Sequence, residues 1–362
     1  MKRAKRTRKL AALLALCGLA LCLTGCGGSS LGERAIVKAI YLNETEEGVE
    51  AALAVFICEP NSDTASVEGE AKIYLAKGKN IDDALYQAER KQNKKPFYAQ
   101  NELLLLGPGT VKNDVTPYLA YFEQENAARP NLSVFLTTMS GEGFSQCEKS
   151  ISEVVREGER IADSAAQDGG ASRSIYEAAP SEGKADGWLP VLTFDQEPDS
   201  FMGVRSLVLL RQGKADGMLR DAQMQLALLL AGKTDRLAIT DTIDGHDVTM
   251  TTQHLQVVKD ASPQKPFALT VRIEGALREV SVDGKNHHGT ELRELAPALN
   301  SYLEGLLEQL ERKTFGRGND VFGWAWWMST QDAGAVQTAR QEGTLYGKSE
   351  VALYACLTAL QQ

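Results

Sequence analysis

Glu102-Leu103-Leu104-Leu105-Leu106-Gly107 places four leucines in a row between a charge and a glycine. Successive side chains of a strand point to opposite faces, so such a run is buried on both sides only as a strand inside a sheet that is covered on both faces. That demand sets the reading of its surroundings. Ala35 to Leu42 and Val49 to Cys58 are β-prone runs joined by the acidic turn Asn43 to Gly48, a hairpin, and Ala71 to Gly78 supplies a further strand. Asn80 is an N-cap for a helix with Asp82 and Asp83 in its first turn and Ile81, Ala84, Leu85 and Ala88 at helical spacing. Asp114 to Glu125 predicts a second helix with Val115, Leu119 and Phe122 on one face, and Leu132 to Met139 another strand.

From Gly141 to Gly187 the composition shifts to Ser, Glu, Gly and Ala, a connecting region with one helix expected over Ser150 to Ala166. A second half opens at Trp188 to Phe194. Ser206 to Leu219 reads as a strand that turns through Gly213 to Gly217, and Asp221 to Gly232 as a helix capped by Asp221 and stopped by Gly232. His246 to Asp260 and Lys265 to Val280 alternate as an antiparallel pair with one wet face. Thr290 to Lys313 predicts a long amphipathic helix, and Ser349 to Leu360 a final strand. The fold class is therefore α+β, with several mixed, largely antiparallel sheet units each packed with helices.

The N-terminus stands apart from this body. Lys2, Arg3, Lys5, Arg6, Arg8 and Lys9 come with no acid among them, and an apolar run from Leu10 to Leu23 follows. A helix of that length spans about 20 Å, short of the roughly 30 Å hydrocarbon core of a bilayer, so the run reads as the apolar region of an export signal. Leu23-Thr24-Gly25-Cys26 then resembles the lipobox of bacterial lipoproteins, which makes Cys26 the expected lipidation site and the first residue of the mature chain. The expected organisation is a signal peptide at 1–25, a lipidated tether at 26–31, an N-terminal α/β domain at 32–187, and a C-terminal α+β region at 188–362, as one unit or two subdomains. Anchorage by diacylglyceryl-Cys26 to the extracytoplasmic face of a membrane follows from that reading. Two acyl chains hold a soluble body where one binds only marginally.

Removing residues 1–25 takes away six positive and no negative charges, moving the formal net charge from −9 to −15. That acidity argues against nucleic acid as a partner. Cys58, Cys147 and Cys356 are widely spaced with no CxxC pair, and Cys58 and Cys356 lie in apolar runs where buried, inert thiols are expected. His287-His288 is the one histidine pair, and it reads as a solvated turn with no acidic or cysteine partner at ligand spacing. The glycines of Gly107-Pro108-Gly109 and of Gly316 to Asp320 read as turn residues. No GxSxG, phosphate-binding loop or HExxH occurs, so neither a catalytic residue, nor a metal ligand, nor a cofactor site is expected. Trp324, Trp326 and Trp327 form a cluster that reads as packing ahead of a binding surface.

The order of these segments is similar to that of the Ger(x)C lipoproteins, the C-subunit family of bacterial spore germinant receptors. The residues that carry the resemblance are Glu33 to Ile40, Asn80 to Gly107 with Phe97-Tyr98 ahead of the leucine run, and Ala128 to Thr138. In the second half they are Gly187 to Phe194, Gly213 to Lys233, Phe267 to Val280, and Gly318 to Trp326, where Asp320-Val321-Phe322-Gly323 follows the long helix. The resemblance implies a non-enzymatic, lipid-anchored subunit of a nutrient receptor at the spore inner membrane, working by contact with two integral-membrane receptor subunits. The competing expectation is a solute-binding lipoprotein of an uptake system, which would carry two doubly wound lobes of parallel sheet.

Overall fold

The computed structural model describes residues 34–58, 69–124, 132–146, 173–179, 183, 185–193, 203–262 and 264–359. Cys26 and Cys147, the signal segment and the helix expected over 150–166 lie outside them. Among the described residues, no helix is long and apolar enough to cross a membrane.

The leucine run is β5 (Leu103–Leu106), and it sits inside a mixed nine-stranded sheet. The expected hairpin is β1 (Arg34–Thr45) with β2 (Gly48–Cys58), and β3 (Gly69–Gly78) closes that edge antiparallel to β2. On its other side β1 runs parallel to β5, then come β6 (Ser133–Thr137) and β7 (Gly187–Thr193), also parallel. An antiparallel β8 (Gly203–Arg211) and β9 (Lys214–Arg220) complete the order, while the short β4 (Lys95–Phe97) pairs with the start of β1.

At β5 both faces of the sheet are dry. Leu104 and Leu106 face a core with the helices α1 (Ile81–Glu89), α3 (Thr116–Gln124) and α5 (Ile175–Ala178), through Ala84, Leu85, Leu119, Phe122 and Ile175. Leu103 and Leu105 face a second core with Tyr41, Phe135 and Phe144, the last from α4 (Gly141–Ser145). Asn80 caps α1 as expected, its Oδ1 accepting the Asp83 N–H at 2.9 Å. Gly107-Pro108-Gly109, expected as a turn, instead opens α2 (Pro108–Asn113), with Pro108 at the first position where its missing N–H costs nothing. A Cβ on Gly109 would come within 1.9 Å of the Glu44 carbonyl oxygen, so backbone approach fixes the glycine.

The second sheet has five strands. β10 (Ala238–Ile243), β11 (His246–Ala261) and β12 (Ala268–Val282) are antiparallel, β13 (Lys285–His287) pairs with the end of β12, and β14 (Glu350–Ala359) lies beside its earlier residues. β14 runs parallel to β12, against the antiparallel expectation for this half. The intervening α7 (Thr290–Lys313), α8 (Trp324–Ser329), α9 (Ala333–Gln341) and α10 (Leu345–Lys348) supply the long crossover that a parallel pair requires. α7 buries one stripe of Leu292, Ala296, Leu299, Leu303, Leu306, Leu307 and Leu310.

Two amide side chains close the edges of this sheet. Gln225, on α6 (Asp221–Leu230), accepts the Ala238 N–H at 2.7 Å and donates to the Ala238 carbonyl at 2.6 Å. Asn300 on α7 does the same for Leu357, at 2.9 and 3.2 Å, and Glu304 accepts the Ala355 N–H at 3.1 Å. An edge strand otherwise offers these groups to another chain.

Local chemistry departs from expectation at three further points. The β8–β9 turn is the two-residue pair Gln212-Gly213, both at positive φ (54° and 78°), which matches the twist of a hairpin; Gly217 lies inside β9. Asp221 does not cap α6. It is the first helical residue, at φ 47°, and Arg220 holds the cap position without a side-chain bond, whereas Gly232 (φ 70°) ends the helix as expected. Cys356, expected buried, is exposed, because on β14 it alternates with the buried Ala355 and Leu357.

Candidate functional site

Cys58 lies on β2, where only the backbone is described. The histidine pair is partly engaged: His287 Nδ1 lies 3.0 Å from Glu291 Oε2, so an acidic partner is supplied by the first turn of α7, while His288 is exposed. A second exposed pair, His246 with Asp283 at 2.7 Å, joins β11 to the β12–β13 turn, and the carboxylate holds the imidazole above its ordinary value. Among the described residues no group of three His, Cys, Asp or Glu side chains is placed to hold a metal ion.

The tryptophan cluster divides into three environments. Trp324 is fully buried, 5.5 Å from the ring of Phe315 and 5.3 Å from that of Phe322. Trp326 is exposed, and Trp327, half-buried, meets it edge-on at 5.2 Å. The preceding Asp320-Val321-Phe322-Gly323 makes this arrangement. Asp320 accepts the N–H groups of Trp324 at 2.7 Å and Ala325 at 2.9 Å, which satisfies two donors that a helix start leaves open. Gly323 takes the left-handed turn into α8 (φ 68°), and Asn319 donates to the Leu210 carbonyl at 2.6 Å, tying the segment to β8. Burial pushes the Asp320 carboxyl up against the pull of those hydrogen bonds.

Between the two sheets lies a cavity of about 470 Å3. One wall comes from the residues around α5 and β7, the other from the end of α6, from β11 and from Val321-Phe322. Arg173 spans the seam: it donates to the Trp188 carbonyl at 2.7 Å and the Glu177 carbonyl at 2.6 Å, with its guanidinium 5.5 Å from the centre of the Trp188 ring. Burial pulls it down to about 10. Lys233, just past α6, pairs with Glu177 at 2.6 Å. Burial acts to raise Glu177, but the bonds from Lys233 and from the Ser174 N–H outweigh it and hold the carboxyl below its ordinary value. Lys259 on β11 is half-buried, its ammonium 5.9 Å from the centre of the Trp327 ring. Nothing in the sequence pointed to this cavity, whose walls come from segments between 173 and 322.

With the fold and the seam in view, comparison with known proteins identifies the first half. Residues 29–186 match the spore germination protein N-terminal domain. These residues of the chain therefore resemble a domain found in spore germination proteins. A solved structure, the crystal structure of the GerBC protein, is similar in fold, with a TM-score of 0.50, 13% identity, and coverage of 88% of this chain and 96% of that one. No curated protein sequence matches the chain. The likeness to GerBC is one of fold, and it extends across both sheets.

Proposed function

We propose that this chain is a subunit of a spore germinant receptor, lipid-anchored through Cys26 and not an enzyme, and that it works by contact with the two integral-membrane subunits of the receptor, on the extracytoplasmic face of the spore inner membrane. The observation that carries the reading is the conjunction of a germination-family domain at 29–186 with the lipobox Leu23-Thr24-Gly25-Cys26 directly ahead of it. A diacylglyceryl group contributes about 0.8 kcal/mol for each buried methylene, enough with two chains to hold the body at a surface. Confinement there raises the effective concentration of neighbouring subunits, so each contact can be modest in affinity. A solute-binding lipoprotein is disfavoured by topology: two doubly wound parallel lobes are absent from the described residues, and the second sheet is antiparallel apart from β12 with β14.

The test is palmitate labelling and co-purification from spore membranes. The parent chain should incorporate label and bring down both membrane subunits, and Cys26→Ser should lose the label and most of the co-purified subunits. Equal labelling of the variant would remove the anchor from the reading, and a labelled parent that brings down neither subunit would remove the contact.

A further inference from the structure

We propose that the seam cavity binds a small organic carboxylate with a branched apolar body, such as a short aliphatic acid. Three cations, Arg173, Lys233 and Lys259, line it against the single acid Glu177. Glu177 is already committed, one oxygen to Lys233 and the other to Ser174. Arg173 is held by two backbone carbonyls, which orient the guanidinium without neutralising it. Lys259 has no carboxylate within ion-pair distance among the described residues, only the face of Trp327. Burial pulls its ammonium below the ordinary lysine value although Asp320, outside the cavity lining, pulls the other way. With three cations against one committed acid, the lining carries an excess of positive charge.

A half-buried cation with no carboxylate in ion-pair contact loses hydration without a direct partner, and an anion entering this cavity supplies one. The remaining walls set the rest of the ligand. Trp188, Leu255, Val257 and Phe322 offer apolar surface, and a cavity of about 470 Å3 is of the size that encloses a small molecule. The α6 end contributes little against an anion, because the carbonyls of Ala227, Leu228 and Leu229 are taken by the N–H groups of Ala231, Lys233 and Gly232. Concavity and few, convergent charges favour a free small molecule over a flat protein contact.

The inference stands apart from the anchor and is tested on the full chain, purified in detergent. Isovalerate and its neutral isostere isovaleramide are titrated against tryptophan fluorescence, which Trp188 in the cavity wall reports. Isovalerate should bind saturably and at least tenfold more tightly than the amide, and Lys259→Met, which keeps the stem and removes the charge, should weaken it about tenfold while melting no lower than the parent. If Lys259→Met does not fold, Lys233→Met should weaken isovalerate severalfold. Equal binding of acid and amide, binding untouched by the lysine substitutions, or no binding of isovalerate would overturn the proposal. So would binding of the peptide acetyl-Val-Glu-Val-amide in the absence of any isovalerate binding, since it would make the cavity a protein contact.

Discussion

Asp320 shows how much one side chain carries at the seam. Its two oxygens satisfy the Trp324 and Ala325 N–H groups at the start of α8, and its charge acts favourably on the Lys259 ammonium without an ion-pair contact. Asp320→Ala leaves two donors without their acceptor and deepens the isolation of that lysine, for an expected loss of about 2–3 kcal/mol. Urea denaturation followed by tryptophan fluorescence measures it; a loss below about 0.5 kcal/mol would show that water replaces the carboxylate. The pH dependence has a definite sign. Burial raises Asp320 above its unfolded value of 3.8, so the native state holds the proton more tightly than the unfolded chain. Stability contributed through this proton is fully present below 3.8 and is lost as pH rises through the raised value. Relative to Asp320→Asn, which does not titrate, the parent should therefore lose stability across that window. A parent that gains on the variant with rising pH would mean that the hydrogen bonds outweigh burial.

At the scale of elements, the sheet edges are where packing and specificity meet. Asn300 closes β14 and Gln225 closes β10, each by a donor and an acceptor on the same residue. Asn300→Ala is expected to cost about 2 kcal/mol, because the Leu357 groups are partly buried, and Gln225→Ala about 1, because the Ala238 groups reach water. Three strand spacings separate the two edges, about 14 Å, so the double variant should lose the sum within about 0.5 kcal/mol. It should also self-associate more than either single variant in sedimentation, since both edges then present free backbone. A double variant far from additive would mean that α6 and α7 move together.

The same elements show what was legible in the sequence. The unbroken leucine run marks β5, capping chemistry marks the start of α1, and helical spacing marks the α7 stripe, since each depends on residues close in the chain. The parallel pairing of β12 with β14 was not readable, because register across an interval filled by four helices is set by tertiary packing. Local strain hid in the same way: Asp221 looks like a cap, yet the chain enters α6 with that residue at positive φ. Cys356 was misread because an apolar run of mixed burial resembles a buried one unless its period of two is imposed on a known face. The seam cavity is invisible in the sequence for a stronger reason, that no two of its cations are neighbours in the chain; Arg173, Lys233 and Lys259 meet only through the fold.

For the whole molecule, the consequential fact is that β8 serves two cores at once. Val208 and Leu210 point into the core of the first sheet with Leu104, Leu106 and Leu119. Leu207 and Leu209 point the other way, into the core that holds α6, α7 and the second sheet, where Trp188 and Leu219 join them. Strand alternation therefore couples the halves through one strand, and neither core is complete without it. The chain should then unfold as one cooperative unit although it contains two sheets. Trp188 and Trp324 lie in the second core and Trp327 packs against it, so tryptophan fluorescence reports on that core, whereas hydrogen exchange at Leu104 to Leu106 reports on the first. Both probes should give the same urea midpoint. Leu209→Ala, which is 1% exposed in the second core, and Leu105→Ala, fully buried in the first sheet, should each cost about 2–5 kcal/mol and lower both midpoints together. If Leu105→Ala moved the exchange midpoint and left the tryptophan midpoint in place, the shared strand would not couple the halves, and the seam would be an interface between independently stable domains.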